Sequence, residues 1–207
     1  MSVPPGSLFW ERRDTTGAEH AVVDISSGLT ARGTALAVDP IAYTARYELR
    51  TDASWVTTSL EVTAEGAGWS RTLRLQSEEG AWRATTSEQG DLDAALAAVG
   101  HAGAGLPGTD DPDLLLGAYD VDLTGSPLTN TLPIRRLGLL KAEAGVAHRV
   151  SVAWVLLPSL EVIQADQIYT ALGDGRVRFA NETFSADLTV DDEGFIREYP
   201  GLAARSS

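Results

Sequence analysis

Tyr119-Asp120-Val121-Asp122-Leu123-Thr124-Gly125-Ser126-Pro127-Leu128-Thr129-Asn130-Thr131-Leu132-Pro133-Ile134-Arg135-Arg136-Leu137 is the stretch whose reading decides the fold. Its first five residues alternate, with Tyr119, Val121 and Leu123 on one side and Asp120 and Asp122 on the other, which is the pattern of a half-buried strand. Gly125-Ser126-Pro127 breaks it. Read with the same period beyond the break, Leu128, Asn130, Leu132, Ile134 and Arg136 share one face of a second strand, and Thr129, Thr131, Pro133, Arg135 and Leu137 share the other. Asn130 and Arg136 then fall on an apolar side, where a polar group must find a partner in a ligand or in the protein.

Working outward, the same period recurs. Tyr43, Ala45, Tyr47 and Leu49 alternate with Thr44, Arg46, Glu48 and Arg50. Val56 to Val62 and Trp69 to Leu75 follow across short turns, and Trp82 comes after the Glu78-Glu79-Gly80 turn, so a meander of antiparallel strands is expected. Leu8–Arg12, His20–Ile25 and Leu29–Val38 precede it, after a flexible leader at Val3–Ser7. His148–Leu157 is apolar at both parities and should be buried on both faces. Leu160–Leu172, Arg176–Phe179, Phe184–Val190 and Phe195–Tyr199 continue the series, and Pro200 ends it.

Helical period is confined to Asp91–Val99, where Leu92, Leu96 and Val99 recur behind Asp91 as N-cap. The expected class is therefore mainly β, a rolled, largely antiparallel sheet with one short helix, in a single domain over residues 1–207. Laying residues 46–62 on 118–134 matches Tyr47 with Tyr119 and Leu60 with Leu132. That overlay fits an internal duplication of about residues 8–85 and 114–202, and it fits equally the easy resemblance of any two alternating strands. Residues 88–113 then form an insertion.

The order and spacing of several pieces resemble the putative glycolipid-binding family of bacterial proteins. The pieces are Asp120-Val121-Asp122-Leu123, Ser126-Pro127 and Thr129 to Leu137, with Glu19-His20, Trp55, Gln167-Ile168-Tyr169-Thr170, Tyr199-Pro200-Gly201-Leu202 and Arg205. The resemblance implies a spiral β-roll, similar in shape to carriers of lipoproteins and lipids, and a lipid or glycolipid as partner. The segment between Trp82 and Tyr119 is longer here than in the family pattern.

Composition narrows the chemistry. A net charge of -13 disfavours nucleic acid and anionic membrane surfaces, which are bound through Lys and Arg. There is no Cys, and His20, His101 and His148 are too scattered for a zinc site, so neither metal nor cofactor is expected. No stretch approaches the roughly 20 apolar residues of a membrane span, and a cytoplasmic protein is expected. Asp110, Asp111 and Asp113 lack the ligand order of a calcium loop. No Gly-x-Ser-x-Gly elbow or phosphate-binding glycine motif occurs.

Asn130, Arg136, Gln167 and Tyr169 are expected to converge at the mouth of the roll and offer hydrogen bonds to a headgroup, with Asp120, Asp122 and Arg135 as further candidates. No residue is assigned a catalytic role. Two other functions remain open: an enzyme using Asp120 and Asp122 with Arg135 and Arg136, and an interaction module built on Asp91–Asp113. Glu19 and His20, as strand neighbours, point to opposite faces and cannot act together on one atom.

Overall fold

A computed structural model describes residues 6–78 and 80–206. Seven strands come first: β1 Gly6–Arg12, β2 Gly17–Asp24, β3 Thr30–Ala37, β4 Tyr43–Thr51, β5 Thr57–Gly66, β6 Trp69–Glu78 and β7 Ala81–Gly90. Helix α1 Leu92–Ala98, a 3-10 turn at Pro112–Leu115, β8 Asp120–Leu123 and helix α2 Thr131–Arg136 form the crossing. Then come β9 Ala147–Val155, β10 Val162–Gly173, β11 Arg176–Ala180, β12 Ser185–Val190, β13 Ile196–Tyr199 and β14 Ala203–Arg205.

All fourteen strands belong to one sheet in the order β7-β6-β5-β4-β3-β2-β1-β14-β13-β12-β11-β10-β9-β8. Every pairing is antiparallel except β8 with β9. The join is β1 with β14, where Trp10 faces Arg205 and Arg12 faces Ala203. This three-residue strand lies beyond the stop expected at Pro200, and it is what fuses the two halves into one sheet.

The sheet does not close; it rolls until its far end lies over its beginning. Thr57 N donates to Tyr119 O at 2.9 Å, Trp82 Nε1 to Ala118 O at 2.9 Å and Arg71 Nη1 to Ser159 O at 3.1 Å. Strands β8 to β10 thereby become a wall with two apolar faces. Val121, Leu123, Ala153, Val155 and Val162 pack into a core with the meander residues Leu49, Leu60, Leu73 and Leu75. Val150, Val152, Tyr169 and Ala171 pack into a second core with Phe179, Leu188 and Ile196. The doubly apolar reading of residues 148–157 holds around Val152–Val155, whereas at the start of the strand Arg149 is exposed and His148 and Ser151 are only half-buried.

Three expectations are corrected. The second strand expected over residues 128–137 is instead a turn followed by α2: Thr131 N donates to Leu128 O and Leu132 N to Thr129 O. Pro133 sits in the first turn, where its missing N–H leaves no carbonyl unpaired. Because Thr131, Leu132, Pro133 and Ile134 are all buried, the segment shows no usable period and its spacing misleads. The overlay of residues 46–62 on 118–134 accordingly sets strand β5 against a helix. The leader expected at Val3–Ser7 lies outside the described residues up to residue 5, while Gly6 and Ser7 belong to β1; Glu79 of the expected turn is also outside them. Helix α1 is capped as expected, Asp91 Oδ1 accepting from Ala94 N at 2.8 Å. Among the described residues no helix is long and apolar enough to cross a membrane.

Candidate functional site

Asp120 and Asp122 share the second-core face of the wall, because β8 runs parallel to β9 and sets Asp120 beside Val152 and Asp122 beside Trp154. Both carboxylates therefore enter protein rather than solvent, and burial pushes each above the usual carboxylate range. They differ in partners. Asp120 is fully buried and receives Arg136 Nη2 at 2.6 Å and Nε at 3.1 and 3.2 Å, a bidentate ion pair. Asp122 receives Gln167 Nε2 on Oδ2 at 2.6 Å, and on Oδ1 at 2.9 Å the Thr129 hydroxyl, which also lies 3.0 Å from Ser126 O.

From Asp122 a hydrogen-bond chain runs inward. Gln167 Oε1 accepts from Tyr169 OH at 3.0 Å, and that oxygen accepts from Asn130 Nδ2 at 2.9 Å. Asn130 precedes α2, yet its side chain caps no helical N–H and serves Tyr169 instead. Each proton in the chain thus points toward Asp122. Burial and the nearby Asp122 carboxylate hold the Tyr169 phenol well above its ordinary range, so it stays a donor.

A cleft of about 200 Å³ opens on this chain, with Asp122, Ser126, Asn130 and Gln167 on its walls. Trp154, Phe179, Phe184 and Tyr199 add aromatic surface, and Gly125, Asp166 and Asn181 are also on its walls. Phe179 meets Tyr169 edge to face at 5.4 Å and Tyr199 at 5.9 Å, and Phe184 lies 6.2 Å from Tyr199. A groove of about 550 Å³ continues from it past Trp154, Ile163, Ala165 and Ile168, with Arg149, Gln164, Asp166, Asn181, Glu182 and Thr183 also on its walls. The opening follows from strand lengths: β10 has 12 residues and β11 only 5, paired with Ile168–Gly173, so residues 163–167 have no strand beside them on that edge. Clefts of comparable size lie elsewhere, one at Arg32, Arg46 and Glu61 and another at Gln76 and Arg83; this one is distinguished by the buried hydrogen-bond chain that opens on it.

Of the expected convergence, Asn130, Gln167 and Tyr169 come together with Asp122. Arg136 and Arg135 do not line the cleft. Arg136 is spent on Asp120, its guanidinium 5.5 Å from the Tyr119 ring. Arg135 lies 4.5 Å over Trp55 and donates to Glu193 O at 3.0 Å. Trp55 reaches that position from a left-handed backbone (φ 67°), in a turn where Asp52 Oδ1 accepts from Ser54 N and Val56 N.

Glu19 was not among the candidates. Its side chain is 1 % exposed, and Oε1 accepts from Ser126 Oγ at 2.6 Å and from the Tyr47 hydroxyl, while Oε2 has no partner. Gly33 makes this possible, since a Cβ there would lie 2.1 Å from Tyr47 Cζ and bar the ring from crossing β3. Burial raises the Glu19 carboxyl to about 7, against the pull of Ser126, Tyr47 and Arg12. The available signal was a carboxylate at a position sharing the face of Ala21 and Val23. His20 is exposed on the opposite face, as strand parity requires. Among the described residues no group of three or more His, Cys, Asp or Glu is placed to hold a metal.

Comparison with curated proteins found no match. The crystal structure of a DUF1089 family protein from Pseudomonas aeruginosa is similar, with a TM-score of 0.65 and 25% identity over 100% of this chain and 95% of that one. The family profile described as "Putative glycolipid-binding" matches residues 7–205, and the chain belongs to that family.

Proposed function

We propose that the protein is a non-enzymatic binding protein for a glycolipid, with the headgroup in the cleft at Asp122 and Gln167 and the chain along the adjoining groove. One observation carries this reading: a cleft that sets polar groups beside aromatic rings runs, through the shared residues Trp154, Ala165, Asp166 and Asn181, into a groove where Ile163 and Ile168 stand among Arg149, Gln164 and Glu182. A continuous channel that mixes apolar surface with polar side chains along its length suits an amphiphile. Phe184, 44 % exposed, and Ile168, 38 % exposed, extend the apolar border to the surface. The family description points to the same ligand class.

A non-enzymatic role is supported at Asp120, which is fully buried and held in a bidentate pair by Arg136, away from the cleft. Native mass spectrometry with dioctanoylglycerol carrying a glucosyl head is expected to give a 1:1 complex that Trp154→Ala weakens. Absence of any adduct with this lipid and with bare dioctanoylglycerol would end the proposal.

A further inference from the structure

We infer that the cleft receives an ammonium group carried by the ligand's headgroup, paired with Asp122 and set beside the aromatic rings of the cleft. The inference rests on the reading of this cleft as the headgroup site, and it adds a positive charge that the family description does not name. An amino sugar is one headgroup that brings such a charge.

Strands β8 to β10 carry three acids, and two of them have cations. Arg136 Nη2 lies 2.6 Å from Asp120, and Arg149 Nη2 lies 2.7 Å from Asp166. Among the described residues no cation pairs with Asp122, whose partners, Gln167 Nε2 and the Thr129 hydroxyl, are neutral. Arg12 comes near the cleft wall, where a Cβ on Gly125 would lie 2.1 Å from its Nη1, yet its Nε and Nη2 are held by Asp14 at 2.7 and 2.5 Å. Burial and the repulsion of Asp120 both push the Asp122 carboxyl upward, and only its two neutral hydrogen bonds pull the other way. A carboxylate so placed is stabilised by a cation from outside.

The local geometry can hold one. Each Asp122 oxygen accepts from one protein donor, and of the roughly four lone-pair sites of a carboxylate about one per oxygen is left for N–H groups of an ammonium. Trp154, Phe179, Phe184 and Tyr199 bring π faces to the same cleft, and these attract primary and alkylated ammonium groups alike. The neutral N–H groups of Asn130, Asn181 and Trp154 on its walls are suited to hydroxyls beside the charge. At a net charge of -13 the chain as a whole favours the approach of a cation.

The test titrates dioctanoylglycerol with a glucosyl or a glucosaminyl head calorimetrically into the full chain, an exchange of one hydroxyl for an ammonium, with bare dioctanoylglycerol as tail control. A trimethylammonium head on the same tail separates quaternary from primary ammonium. At least one cationic lipid is expected to bind roughly tenfold more tightly than the glucosyl lipid, and Asp122→Asn is expected to bring that ratio close to one. A general attraction of cations to an acidic protein would survive the loss of one charge among so many, so a ratio that persists in folded Asp122→Asn overturns the inference. Equal binding of the cationic and glucosyl lipids overturns it too, and leaves the glycolipid reading intact. Failure of every lipid to bind overturns both. Should Asp122→Asn not fold, carbon-detected NMR of the unaltered protein decides: the cationic lipid must lower the Asp122 carboxyl midpoint, and an unmoved midpoint overturns the inference.

Discussion

Glu19 makes stability fall as pH rises, the reverse of what a salt-bridged carboxylate does. The group titrates at about 7 when folded and near 4.5 when free. Below pH 4.5 it is neutral in both states; between the two values the native state holds a proton that the unfolded chain has released; above 7 both are ionised. Stability from this group is thus complete at low pH and lost as pH climbs through 7. The 4.5-to-7 interval corresponds to about 3 kcal/mol, most of which falls between pH 5 and pH 8.

Glu19→Gln removes the titration while keeping an oxygen for Tyr47 and Ser126. Urea unfolding of both proteins at pH 5 and pH 8 gives four free energies, and the difference of differences cancels Asp120, Asp122 and every other group. The variant should gain about 2 to 3 kcal/mol on the wild type over that span. Whatever the amide costs at the unpartnered Oε2 position is the same at both pH values and drops out. A carbon-detected NMR titration should find the Glu19 carboxyl midpoint near 7. If the two stability curves run parallel to within about 1 kcal/mol, below the 1.36 kcal/mol of one pKa unit, the claim that burial dominates at this site is refuted.

Three further outcomes follow from particular contacts. Arg136→Met strands the Asp120 carboxylate with no exposure to water, and a loss of about 3 to 5 kcal/mol in denaturant unfolding is expected, much of it recovered by adding Asp120→Asn; a shift below 1 kcal/mol would mean the pair is not buried as drawn. Gly33→Ala drives a methyl into the Tyr47 ring and should cost about 1 to 3 kcal/mol and move the Glu19 titration midpoint, whereas an unchanged midpoint would show that the ring does not need the gap. Arg135→Ala should change the emission of Trp55 and lower stability by only about 0.5 to 1 kcal/mol while leaving glucosyl-lipid affinity intact; a loss of affinity would return Arg135 to the site.

Much of the fold was legible because strands write their burial into alternate residues. Tyr43 to Leu49 is buried at each odd position and exposed or half-buried between, and the meander follows from it. Strand β14 was not legible: three residues are too few for a period, and its role comes from pairing with β1 some 190 positions earlier. Helix α2 was misread because a short segment buried on all sides carries no stripe. That error explains the arginines. In a strand Arg135 and Arg136 would point to opposite faces; on a helix they diverge by about 100°, which sends one to Trp55 and the other to Asp120.

The site was half visible for a related reason. Asp122, Gln167 and Tyr169 each lie on a strand whose parity can be counted, so their facing was readable although their meeting was not. The rings of Phe179, Phe184 and Tyr199 reach Trp154 only through the roll, and Glu19 reaches Ser126 only because Gly33 lets Tyr47 cross a strand. What places all of them is the wall. Its first face is covered by the meander at β8 and Ala153–Val155 and is open at Arg149, Gln164, Asp166 and Ile168, and its second is covered by Ile134, Leu139 and β11 to β13, strands of 5, 6 and 4 residues against the 12 of β10. Short strands cannot sheathe a long one. That end leaves Trp154, Ile163 and Ala165 half-buried, and it is against these side chains that the proposed ligand would lie.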